Sequence, residues 1–266
     1  MRRADDRIDP PDHWLLLRGL ARHQKHWAGF DATFAEALGV EVHHLDLPGF
    51  GTEHRRAPPL SVVDTMEDVR TRWLDLKREH EGAWGLMSIS LGGMVAMAWS
   101  ASHPDDFAGQ VIINSSAKNL GTPFERMGIG AFGNVVKAML VRDPVRREAL
   151  ILAATSTRTA EHAAMAEASA ALDAFAPMSV RHALRQLAAA TRFDAPDAMH
   201  TPTLLLAAKA DALANAVCSH RLASRTGAPV YVNPISGHDL PRDDPGWIVE
   251  RVRSWLRGDE DPPVLI

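Results

Sequence analysis

Residues 84–99 read Trp-Gly-Leu-Met-Ser-Ile-Ser-Leu-Gly-Gly-Met-Val-Ala-Met-Ala-Trp, and the reading of this stretch decides the fold. The apolar run that ends at Ile89 has the length of a buried strand, and an apolar helical run begins at Leu91. Ser90 alone separates them. A chain that passes from strand to helix over one residue strains that residue's backbone. It also leaves space beside it only for small side chains. Ser88, Gly92 and Gly93 meet that requirement. The turn would lift the Ser90 hydroxyl above the sheet edge and aim the first free N–H groups of the helix at the same point. A phosphate-binding loop would need G-x-G-x-x-G or a Gly-Lys-Ser/Thr ending, and neither is present.

Outward from this turn, short apolar runs alternate with longer amphipathic ones, the pattern of an α/β protein. Strands are expected at residues 14–17, 40–47, 84–89, 110–114, 203–208 and 229–233. Helices are expected at residues 26–38, 62–80 with Ser61 as N-cap, 91–103, 214–226 and 244–256. Residues 118–200 carry no strand pattern. They are rich in Ala and Met and read as a helical insertion, with the sheet resuming after it. The expected architecture is therefore a mostly parallel sheet of about six strands with helices on both faces. Residues 1–117 and 201–266 would form its core.

The chain has 266 residues, 46% of them hydrophobic and 23% charged, with a formal net charge of −4. That balance fits one large soluble domain and argues against a nucleic-acid binder, which needs a basic surface. The single cysteine, Cys218, excludes an intrachain disulfide framework and is compatible with a reducing compartment. The opening residues MRRADDRIDPPDHW lack an apolar core, so no signal peptide is expected. No apolar run reaches the ~18 residues of a membrane span. The expected location is the cytoplasm.

The segment Ser88-Ile89-Ser90-Leu91-Gly92 resembles the nucleophile elbow of the α/β-hydrolase superfamily, with Ser88 where the family usually has glycine. Asp46-Leu47-Pro48-Gly49-Phe50-Gly51 after the second strand and QVIINSS at 110–116 are similar to the family as well. The resemblance covers about residues 14–116 and 201–256, and it places residues 118–200 where such enzymes carry a helical cap. It implies a Ser-acid-His order, with the acid after the strand that follows the cap and the base after the last strand. Asp211 and His238 stand at those places. A serine needs such a base, and the base needs an orienting acid. Asp239 is not the expected acid, since adjacent loop side chains diverge, and Asp243 and Asp244 are expected to cap the final helix. The oxyanion donors implied are the backbone N–H groups of Leu91 and of Leu20, the latter in the turn Arg18-Gly19-Leu20. Arg18 stands where the family usually has histidine. Arg18 and Arg22 are expected in solvent or on loop carbonyls, the sharper alternative being contact with an anionic substrate.

The activity implied is hydrolysis of a carboxylic ester through an acyl-enzyme, with no cofactor. C–C bond hydrolases, thioesterases, lactonases and acyltransferases share the arrangement. A non-catalytic ligand-binding protein on the same scaffold is the alternative of another class. The chain is also similar in length and layout to carboxylesterases that cleave pimeloyl-carrier-protein methyl esters. In residues 118–158 seven cations (Lys118, Arg126, Lys137, Arg142, Arg146, Arg147, Arg158) exceed three anions (Glu125, Asp143, Glu148), which would suit an acidic carrier. Thirteen histidines raise the question of a metal. The sequence pairs His23–His26 and His43–His44 supply too few convergent ligands, the latter pair pointing to opposite faces of a strand, so no metal is expected.

Overall fold

A computed structural model of the chain describes residues 8–259; the first seven residues of the stretch read for targeting lie outside them. Six strands form one sheet: β1 (His13–Leu17), β2 (Glu41–His44), β3 (Trp84–Ile89), β4 (Gly109–Ile113), β5 (Thr203–Ala208) and β6 (Val230–Asn233). Their order is β2-β1-β3-β4-β5-β6, and every neighbouring pair is parallel. β1, β3, β4 and β5 are buried at every position. That is why they read as unbroken apolar runs rather than alternating ones.

The described residues also form nine longer helices: α1 (Phe30–Leu38), α2 (Val62–Glu79), α3 (Leu91–Ser102), α4 (Ile129–Leu140), α5 (Pro144–Thr155), α6 (His162–Ala170), α7 (Val180–Arg192), α8 (Ala216–Thr226) and α9 (Pro245–Arg257). On one face, Leu15, Leu17, Leu86 and Ile112 pack with Trp73 of α2 and Trp99 of α3. On the other, Trp14, Leu16, Met87 and Val111 pack with Phe34 of α1 and Val252 of α9. α3 is buried continuously from Leu91 to Ser100, which its apolar residues on all sides require. Between β4 and β5 lie α4 to α7 with short turns and, among the described residues, no strand. No helix among them is long and apolar enough to cross a membrane.

Two boundaries and one cap differ from the sequence pattern for local reasons. The helix expected at 26–38 is split: Ala28 and Gly29 take φ of 53° and 88°, ending a short 3₁₀ turn before α1 starts. The strand expected at 40–47 stops at His44. The Asp46 carboxylate beyond it accepts hydrogen bonds from Gln24 N at 2.7 Å and Thr52 N at 2.8 Å, which holds the chain off the ladder. Asp244 caps α9 through Trp247 N. Asp243 does not cap it. Its carboxylate accepts instead from Ser156 Oγ at 2.6 Å and Gly237 N at 2.7 Å.

Candidate active site

The strand-to-helix turn has the strained form expected of it. Ser90 sits at φ 59°, ψ −119°, a region that costs a non-glycine residue about 1–3 kcal/mol unless the surroundings fix it. They do: Ser90 N donates to Ile113 O at 3.0 Å, and Ser115 Oγ donates to Ser90 O at 2.8 Å. The small neighbours are explained by contact. A Cβ on Gly92 would lie 2.7 Å from Leu17 O, and one on Gly93 would lie 2.6 Å from Ser115 Cβ. Ser88 is tolerated because its hydroxyl donates to Val111 O at 3.2 Å within the buried sheet.

After β5, Asp211 is buried and its two carboxylate oxygens are used differently. Oδ1 accepts from Leu213 N at 2.7 Å and Ala214 N at 2.8 Å. Oδ2 meets Nδ1 of His238 at 2.7 Å. A carboxylate can only accept, so Nδ1 carries a proton, and in the neutral ring Nε2 keeps its lone pair. The loop after β6 therefore holds the His238 imidazole in one orientation. His238 lines the same cavity as Ser90, Leu91 and Leu20. The structure thus brings four of the five expected residues around one space and bonds the fifth, Asp211, to His238.

The turn after β1 approaches Ser90 closely. A Cβ on Gly19 would fall 2.8 Å from Ser90 Cβ and 3.3 Å from its Oγ. In that turn Ala21 N donates to Gln186 Oε1 at 3.0 Å, and Arg22 N donates to Gly19 O at 3.2 Å.

Neither arginine of this turn is in solvent or on a loop carbonyl. Arg18 makes two bonds to Asp239, at 3.0 and 3.1 Å, and lies over the Trp27 ring. Arg22 reaches both oxygens of Glu148 in α5, at 3.0 and 2.8 Å. Burial would raise the Asp239 carboxyl, but the attraction of Arg18, with Arg242 and Arg22, holds it below the usual carboxylate range. Asp239 is thereby committed to Arg18 and unavailable to His238. His23 and His26 pack edge-on at 4.1 Å. Burial pushes His23 down to about 4 and His26 well below its ordinary value, so both rings are neutral packing groups.

Sequence reasoning missed Asn114. It is fully buried with φ 45°. Its Nδ2 donates to His238 O at 2.8 Å and Gly237 O at 3.2 Å, while its Oδ1 accepts from Ala208 N at 2.8 Å. One side chain thus fastens the ends of β4 and β5 to the loop that holds the base. The only sequence signal was an amide immediately after an apolar strand.

The cavity measures about 630 Å³ and is walled mostly by apolar side chains, including Met94, Phe132, Met139, Leu187 and Leu213. Many come from the segment between β4 and β5. Phe124 and Phe132 on its rim are exposed. The basic residues of that segment are less free than their charges suggest. Lys118 pairs with Asp194 and Arg158 with Glu161, and Arg147 is buried. Lys137, Arg142 and Arg146 are exposed.

Known proteins match this chain in three ways. The family described as "Serine aminopeptidase, S33" (Hydrolase_4) matches residues 10–240. A pimeloyl-[acyl-carrier protein] methyl ester esterase of Chromobacterium violaceum is 31% identical over 106 residues, 39% of this chain, and the match spans only 37% of that relative's length. Among solved structures, the enol-lactonase from Burkholderia xenovorans LB400 superposes with a TM-score of 0.73 at 18% identity, covering 94% of this chain and 92% of that one. A thermophilic esterase from Thermogutta terrifontis gives 0.69 at 19% identity, covering 94% and 90%. Sheet order, helical layers and family match agree, and the chain belongs to the serine aminopeptidase S33 (Hydrolase_4) family of α/β-hydrolase enzymes.

Proposed function

We propose that the protein is a serine hydrolase that cleaves a carboxylic ester, or a related acyl bond, through Ser90, His238 and Asp211. The observation that carries this reading is the 2.7 Å bond from His238 to Asp211. It leaves Nε2 as the free nitrogen of a neutral ring, on a residue that lines the same cavity as Ser90.

The chemistry follows from these positions. Ser90 Oγ attacks the acyl carbon as its proton passes to His238 Nε2. The carbonyl oxygen becomes an oxyanion held by the N–H groups of Leu20 and Leu91. Asp211 stabilises the imidazolium. Collapse breaks the bond to the leaving group, which takes the proton from Nε2. A water then gives a proton to Nε2 and its oxygen to the acyl carbon. The acid departs, and Ser90 regains its hydrogen. No cofactor is needed for any step.

Residues 118–200 act as a cap on a core made of residues 1–117 and 201–266. The apolar walls favour an apolar acyl or alcohol part, and several Met side chains suit varied shapes. An acyl group presented by an acidic carrier is a second reading. It is favoured by Lys137, Arg142 and Arg146, exposed in the segment that supplies much of the cavity wall, and by what the Chromobacterium relative is named for.

A fluorophosphonate should add one mass equivalent at Ser90, and Ser90→Ala should abolish both the adduct and nitrophenyl ester turnover. Asp211→Asn should lower kcat by orders of magnitude; the analogous change in a serine protease costs ~10⁴-fold. An unlabelled wild-type protein with no turnover on esters, thioesters or lactones would favour the binding-protein alternative and reject the hydrolase reading.

A further inference from the structure

At the opposite end of the sheet from Ser90, four side chains from three separate segments converge. They are His13 at the start of β1, Glu41 and His43 on β2, and His80 just after α2. One ligand atom from each lies within 4.8 Å of all the others, a grouping that includes two partly exposed rings and an exposed carboxylate. His13 Nδ1 is 3.2 Å from His43 Nε2 and 3.4 Å from Glu41 Oε2. His43 Nε2 and His80 Nδ1 are each 3.7 Å from the same Glu41 oxygen.

We propose that His13, Glu41, His43 and His80 form a binding site for a single zinc(II) ion. Zinc takes four N and O donors at about 2.0–2.2 Å in a tetrahedron, whose edges are then about 3.3–3.6 Å. Four of the six donor–donor separations, 3.2, 3.4, 3.7 and 3.7 Å, are close to those edges, and the other two, from His80 to the two rings, are within 4.8 Å, so a small rotation of the half-exposed His80 side chain closes the tetrahedron.

The surroundings are those of a prepared site. His13 Nε2 lies 2.9 Å from Glu81 O and can only donate to a carbonyl, so Nδ1 carries the free lone pair toward the cluster. Histidine ligands are typically oriented by such an outer hydrogen bond. The three segments are also tied to one another. Asp12 Oδ2 accepts from Ala83 N at 3.0 Å, and Glu41 N donates to Asp12 O at 2.9 Å. The Trp84 ring stacks on His13 at 5.0 Å and lies 4.8 Å from His43, closing the inner side. Glu41, its side chain 65% exposed, leaves an entry from solvent.

Sequence spacing could not reveal this grouping. His44, the neighbour in sequence, points away and meets Asp31 at 3.2 Å. The partner of His43 is His13, brought beside it by the parallel register that sets His13 against Glu41 and Leu15 against His43. Without metal, the N–H on His43 Nε2 would donate to His13 Nδ1 and join the rings; binding the ion through Nε2 requires that proton to sit on His43 Nδ1 instead. The six residue steps from Trp84 to Ser90 put the site about 20 Å from the nucleophile, so its role is to clamp β1, β2 and the end of α2 rather than to act on substrate.

The test is a Zn²⁺ titration of chelator-treated full-length protein by calorimetry, with Co²⁺ substitution read by visible spectroscopy. The expected result is one tight equivalent, intense d–d bands of a tetrahedral ion, and a higher Tm with Zn²⁺. His80→Ala and Glu41→Gln alter exposed or half-exposed groups and should keep the fold. Each should weaken Zn²⁺ binding by at least the ~10–100-fold typical of losing a ligand's outer hydrogen-bond partner. Each should also remove the Tm rise. Substoichiometric binding, an octahedral Co²⁺ spectrum, or wild-type affinity in both variants would overturn the proposal.

Discussion

Arg18 and Asp239 form a buried two-bond ion pair, at 3.0 and 3.1 Å, that joins the turn after β1 to the residue next to His238. It links the turn proposed to support the oxyanion with the loop proposed to carry the base. Removing Arg18 takes away both hydrogen bonds of the Asp239 carboxylate and leaves Arg242 Nε, 3.5 Å away, as its nearest cation; breaking a buried pair in this way typically costs about 3–5 kcal/mol, the upper bound expected here. Arg18→Met should therefore lower stability strongly, and an Arg18→Met/Asp239→Leu double variant should recover much of it. Urea denaturation of the three proteins checks this, and additive losses would reject the coupling.

The same pair gives a pH dependence. The folded-state pKa of Asp239 is depressed. Its contribution is present above the unfolded value of about 3.9 and is lost as pH falls through the lower folded value. Thermal melts from about pH 5 downward should show a shallower fall in Tm for the double variant than for wild type. Parallel curves would show that Asp239 does not drive the acid response.

Gly19 should tolerate no side chain. An added Cβ would stand 2.8 Å from Ser90 Cβ, so Gly19→Ala must push the turn and the serine apart. Displacements of about 1 Å at a reacting centre can cost ~10²-fold in rate. kcat/KM for a nitrophenyl ester should fall by about that factor, with the far-ultraviolet spectrum unchanged. Near wild-type turnover would mean the turn moves away without touching catalysis.

Asn114 should act through the His238 loop. Asn114→Ala leaves two carbonyls and one N–H without their partner, each worth about 1–3 kcal/mol if water cannot replace it. Stability should drop, and kcat should fall more than KM rises, because the base rather than the apolar wall is disturbed. A loss confined to stability would limit Asn114 to folding.

The carrier reading depends on three exposed cations. Reversing Lys137, Arg142 and Arg146 to Glu should raise KM for an acyl-carrier ester and steepen no dependence on free nitrophenyl esters. Arg147 is not a useful target, because it is buried. Equal effects on both substrates would reject a carrier surface.

The sheet was readable from the sequence because its central strands are buried on both sides. Trp84–Ile89 and Thr203–Ala208 lie within their expected bounds for that reason. Edge strand β2 was overextended, since a carboxylate at Asp46 rather than hydropathy ends it. The places of Ser90, Asp211 and His238 after β3, β5 and β6 are legible from the strand pattern. Asn114, the Arg18–Asp239 pair and the histidine cluster are not. Each depends on residues that meet across the fold, and no local period records such a meeting.

The carboxylate of Asp243 holds Ser156 Oγ and Gly237 N together, and Asp239 N donates to Thr155 O at 2.7 Å. The C-terminal end of α5 is thus moored to the very loop that bears the base. Its middle is moored as well, through Glu148 to Arg22. A segment fastened at those points cannot swing away whole without dragging His238 out of line. Its accommodating part must be the outer edge, where α4 sets Phe132 and Val136 between cavity and water. Substrate length would then be negotiated at that edge while the geometry around His238 stays fixed.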